Sequence, residues 1–136
     1  MAAFNKFNAF VEALAEGKHN FASDQLVVAL SNTLPTAANA ILTDITEITY
    51  TNLSSRNLTT TSSSQTSGTY SLVLQDLTLT ASGGSVGPFQ YVVIYNDTAT
   101  NDDLIGWYDR GSALTLNSGE SVTLDFTDSQ QLLTIV

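Results

Sequence analysis

The chain has 136 residues and 43% hydrophobic content, enough for one domain with a core of its own. Its formal net charge of -9 with only four Lys and Arg excludes a phosphate-tracking nucleic-acid surface. The absence of cysteine excludes disulfides, thiolate metal sites and thiol redox chemistry. Charged residues are only 12%, while serine and threonine fill a quarter of the chain, a composition that favours β structure.

The N-terminal MAAFNKFNAFVEAL has no basic leader ahead of a long apolar run, so it does not read as a secretory signal. No apolar run approaches the ~20 residues a spanning helix needs, and no membrane partner is expected. Synthesis and first residence are expected in a cytoplasm-like compartment.

Phe4, Phe7, Phe10, Val11 and Leu14 recur at three- and four-residue spacing and predict an amphipathic helix over 4–16. Gly17 stops it. So short a helix needs its phenylalanine stripe buried, either across a sheet or on a neighbouring subunit. His19 stands alone, with no cysteine or second histidine beside it, and reads poorly as a metal ligand.

A β domain is expected over 25–136. Leu26 to Leu30 reads as a short buried strand, and Ile45, Ile48 and Tyr50 lead into a threonine-rich one. Residues 51–69, TNLSSRNLTTTSSSQTSGT, hold two leucines and one arginine among polar residues. They read either as a Ser/Thr-rich surface loop or as a polar outer strand pair. Residues 70–81 predict a strand whose apolar phase changes, with a bulge near Gln75–Asp76.

The densest stretch is 81–110, which holds Trp107 and three of the five tyrosines. Residues 82–88 read as a turn, 89–95 and 104–109 as the strands of a central hairpin, and 96–103 as its polar loop. A strand over 113–116, a turn at 117–120, alternation at Val122, Leu124 and Phe126, and a last strand over 131–136 complete the chain. The fold class is mainly β: a single antiparallel β-sandwich or barrel-like domain, 1–136, with one N-terminal amphipathic helix.

Several chemical motifs fail on context. Gly83-Gly84-Ser85-Val86-Gly87 has the Gly-x-Ser-x-Gly spacing of a nucleophile elbow, but a proline and a strand follow it and no histidine lies downstream. Asp97, Asp102 and Asp103 are oxygen ligands without the spacing of a calcium loop. Trp107 with Tyr91, Tyr95 and Tyr108 reads as core before it reads as a sugar-stacking platform. No catalytic residue, cofactor or metal is assigned from these motifs.

Four segments carry a resemblance: Phe4-Asn5-Lys6-Phe7 with Phe10-Val11-Glu12-Ala13-Leu14; Val28 to Pro35; Leu42 to Ile48; and 81–110. Together they resemble a family of small structural proteins of tailed bacteriophages. Residues 50–61 depart from that pattern, which is glycine-rich there. The resemblance implies a virion protein without enzymatic activity on the capsid surface, a decoration or cement protein bound to the major capsid protein and to itself as a trimer or dimer. A tail-tip or fibre-associated module for cell-surface or glycan recognition is the alternative. The expected docking residues are Phe4, Phe7, Phe10 and Leu14 on the helix, and Leu53, Arg56 and Leu58 on the polar loop.

Overall fold

The architecture is mainly β and follows from one long hairpin. The structure, a computed structural model, describes residues 2–126 and 132–135. Strand β6 (Val86–Asn96) pairs antiparallel with β7 (Leu104–Leu116), with Val93 opposite Trp107 and Ile94 opposite Gly106. On the far side of β6 lies β2 (Leu26–Ser31), and on the far side of β7 lies the two-residue β1 (Asn5–Lys6). The hairpin therefore occupies the centre of a four-stranded sheet, as its apolar character on both faces predicts. All six residues of β2 are buried for the same reason.

Two smaller antiparallel sheets complete the described residues' strands. One orders β3 (Thr60–Thr66), β4 (Thr69–Leu74) and β9 (Leu133–Ile135); the other pairs β5 (Leu77–Thr80) with β8 (Ser121–Leu124). Phe89 and Val93 of β6, Leu72 and Leu74 of β4, and Leu79 of β5 belong to one buried apolar cluster. These are open sheets around a common core, not a closed barrel.

The phase change in 70–81 is a change of sheet. Leu72 and Leu74 serve the three-stranded sheet and Leu77 and Leu79 the two-stranded one, so Gln75–Asp76 is a break between strands where a bulge was expected. The Ser/Thr-rich segment also divides. Its second half is the polar edge strand β3; its first half is irregular. Residues 113–116 continue β7 and are not a separate strand. The predicted turn at 117–120 is present, closed by Glu120 N donating to Asn117 O and Asn117 N to Glu120 Oε1. The start of the predicted last strand and its final residue lie outside the described residues; Leu133–Ile135 is strand.

The helix differs most from expectation. It spans Asn8–Ala15 as α1, so Phe4 and Phe7 precede it in extended chain. Phe7 N donates to Ile105 O at 3.2 Å, and Asn8 N, a donor without an intrahelical partner, reaches Ala37 O at 2.9 Å. The C-terminus is as predicted. Gly17, at φ +77, donates to Leu14 O while Lys18 N donates to Ala13 O, the paired bonds of a Schellman ending. Eight residues cannot hold a helix in water, so α1 depends on burying Phe10 and Ala13 against the rest of the protein.

The stretch from Ile45 to Tyr50 is not a strand. It belongs to a strap that closes the outer edge of β2. Leu26 O accepts from Leu58 N, Val28 N donates to Arg56 O, and Val28 O accepts from Arg56 Nη1 at 2.7 Å. Leu30 N donates to the Tyr50 hydroxyl at 2.9 Å, and Leu30 O accepts from Ile48 N. The outward backbone groups of a buried edge strand are thus satisfied by a loop and two side chains.

Candidate functional site

The expected docking residues divide sharply. Phe7 is 0% exposed and Phe10 6%, so Phe7 is closed to a partner and Phe10 presents little surface to one. The Phe7 ring lies 4.7 Å from the indole of Trp107, and Phe10 packs on His19 and Phe21. Leu58 is buried too. Arg56 is committed inward: besides its bond to Val28 O, its guanidinium lies 3.7 Å from the centroid of the Tyr50 ring. Leu53 is half-buried and bridges to Ala81. The polar loop is therefore pinned to the sheet and is not a free docking element.

Phe4 and Leu14 remain half-exposed, and they meet two residues near the C-terminus that the helical spacing could not select. Together with Val11 of α1 and Leu133 and Ile135 of β9 they line an apolar groove of about 570 Å³. Val11 is 53% exposed and Ile135 43%, high values for large aliphatic side chains in a protein this size. Among the described residues, Lys6 is the one charge on its lining. Each side of the groove has a local cause. α1 turns Phe10 and Ala13 inward, which leaves Val11 outward. β9 alternates, so Leu133 and Ile135 share a face.

The Phe4 ring is set by Gly106. A Cβ at that position would fall on the ring and 2.7 Å from Asn5 O, so β1 can approach β7 only over a glycine. An isolated glycine inside a strand pattern is the signal for such an approach.

A second feature was not legible in the sequence. Four polar residues are buried among the described residues, and three of them, His19, Asn96 and Asp103, gather where the chain leaves α1 and where the 97–103 loop begins and ends. Asn96 Nδ2 contacts His19 Nδ1 at 3.0 Å and donates to Asp24 Oδ2 at 2.7 Å. Asn96 Oδ1 accepts from Thr98 N and Ala99 N. Burial holds the His19 imidazole below its ordinary pKa, against the opposing pull of Asp103 and Asp24 and with a further push from Lys18.

The remaining motifs resolve structurally. Ser85 of the Gly-x-Ser-x-Gly segment is exposed and runs straight into β6, so the segment is the turn before that strand. Asp97 is exposed, Asp102 half-buried and Asp103 buried near Lys18 Nζ at 4.0 Å. No cluster of three metal-ligating side chains forms among the described residues. The aromatic platform does not assemble: Trp107 lies opposite Val93 and Tyr108 opposite Val92, on opposite faces of the sheet, and Tyr95 is 5% exposed. Tyr108 instead packs between Phe4 and Phe126, where burial pushes its hydroxyl up to about 12.

No protein-family model, curated protein or solved structure matches the chain.

Proposed function

We propose that this protein is a non-enzymatic structural protein of a tailed-bacteriophage virion, and within that class a capsid decoration protein. It docks on the major capsid protein from outside the assembled head and bridges neighbouring capsomers, as a trimer or dimer near a symmetry axis. The observation that carries the reading is the α1–β9 groove. It presents Val11, Leu14, Leu133 and Ile135 to solvent on a scaffold whose main-sheet edge at β2 is closed. A β framework that carries an apolar docking face suits a protein that binds and does not turn over. The resemblance in 4–14, 28–35, 42–48 and 81–110 supplies the class of partner.

The test is reconstitution on heads that lack the protein. The wild-type chain should bind and raise the temperature at which heads release DNA. Val11→Asp changes an exposed position, so the fold should persist, while a charge placed in an apolar contact should weaken binding at least ~10-fold. Recovery of the protein only in the tail fraction of dissociated virions would replace this reading with the tail-tip one.

A further inference from the structure

We propose that His19 and Asn96 form an acid-sensitive clasp, which holds the chain leaving α1 against the 97–103 loop and releases it when the imidazole gains a proton. The inference rests on the buried corner itself and does not depend on the virion reading.

The hydrogen-bond pattern fixes the tautomer. Asn96 is 0% exposed, and its Oδ1 accepts from Thr98 N at 3.0 Å and Ala99 N at 3.2 Å. Its Nδ2 donates to Asp24 Oδ2. A flipped amide would set its oxygen against the Asp24 carboxylate and its NH₂ against two backbone N–H groups, so only one orientation is satisfied. That orientation aims the second Nδ2–H at His19 Nδ1, which must accept, and the ring proton therefore sits on Nε2. His19 Nε2 is buried without a hydrogen-bond partner among the described residues. The neutral ring is held by stacking on Phe21 at 5.5 Å and by Phe10 at 5.4 Å.

Protonation places a hydrogen on Nδ1, facing the amide N–H across 3.0 Å. Either the ring leaves or Asn96 rotates, and rotation removes the acceptor of Thr98 and Ala99. The same junction carries Asp97 N to Gln25 O and Gln25 N to Thr98 Oγ1, so both segments loosen together. The charges acting on the ring are Asp103 at the start of the β7 arm, Asp24 on the turn after it, and Lys18 beside it. α1 faces it with Phe10, and the hollow it borders also holds Ser63 of β3 and Tyr70 of β4. Burial outweighs the two carboxylates, so the native ring binds its proton later than the unfolded chain does as pH falls. The clasp is therefore intact above about pH 6.5 and is lost as pH falls through the lower native value.

NMR on the intact chain tests this, because His19 is the only histidine and its imidazole signals need no assignment. At about pH 7.5 the Nε2–H tautomer is expected, with a titration midpoint below ~6.5. Exchange of the Thr98 and Ala99 amides, corrected for intrinsic chemistry, should rise by up to about tenfold per pH unit from ~6.5 down to that midpoint, the limit for one linked proton, and level off below it. His19→Phe keeps an aromatic ring and should flatten this rise. An Nδ1–H tautomer, a midpoint at or above ~6.5, or an unchanged rise in His19→Phe would overturn the proposal. Should His19→Phe fail to fold, the wild-type tautomer and midpoint decide alone.

Discussion

Tyr50→Phe isolates one bond of the strap that closes β2. The substitution keeps the ring, and hence the contact with Arg56, and removes only the hydroxyl. That hydroxyl accepts from Leu30 N at 2.9 Å and donates to Glu47 Oε1 at 2.6 Å. Glu47 is exposed, so water replaces its lost donor at little cost. Leu30 is 0% exposed, and its N–H has no solvent to turn to. An orphaned buried donor costs about 1–3 kcal/mol, and ~2 kcal/mol is expected here. With unfolding entropy of about 2.1 cal/mol/K per residue, a chain of 136 residues loses roughly 7 °C in Tm for that amount. Urea and thermal unfolding measure the loss, and hydrogen exchange at the Leu30 amide localises it. A cost below ~0.5 kcal/mol with unchanged Leu30 exchange would refute the idea that the strap holds this edge.

Two further outcomes test other parts of the fold. Gly106→Ala drives a Cβ into the Phe4 ring and toward Asn5 O, so it should cost about 1–3 kcal/mol and detach β1. The emission of the sole tryptophan, Trp107, should shift to the red as its cover by the adjoining Phe7 loosens, and unchanged emission with unchanged stability counts against the close approach. Tyr108 should ionise near pH 12, against about 10 in the unfolded chain. Its contribution to stability is thus full below about pH 10 and is lost as pH rises through the native value. A phenolate absorbance titration in which all five tyrosines ionise together by about pH 10.5 would contradict that burial.

What the sequence disclosed depended on whether the decisive partner was local. The β6–β7 hairpin was legible because aromatic and β-branched residues alternate on both sides of a turn-rich loop. Gly17 and the 117–120 turn were legible because their chemistry lies within a few residues. The helix start was not. Phe4, Phe7 and Phe10 keep helical spacing, yet Gly106, about a hundred residues away, offers the first two a sheet edge to lie on. The same holds for Tyr50 and Arg56, whose partners are backbone groups of β2. β3 has no apolar alternation because it is a polar edge strand, so periodicity could not separate it from loop. His19 showed nothing because Asn96 lies 77 residues further on.

These contacts leave side chains, and not a free sheet edge, to carry the proposed docking chemistry. β2 spends its outward groups on the 46–58 strap, and β1 covers β7 at Gly106 and Trp107. Strand addition at the β2 edge would first have to displace Tyr50 and Arg56, a cost that falls before any new bond forms. The α1–β9 groove asks for no such displacement, since Val11 and Ile135 already face solvent. It also borders the corner that holds His19: Leu14 and Ile135 line both the groove and the hollow beside the imidazole. The two proposals therefore constrain each other. If acid opens the clasp, the chain after α1 loosens directly beneath the docking face, and binding to heads should weaken over the same pH range in which His19 titrates. Binding that persists unchanged through that range would separate the clasp from docking without touching either the groove or the tautomer argument.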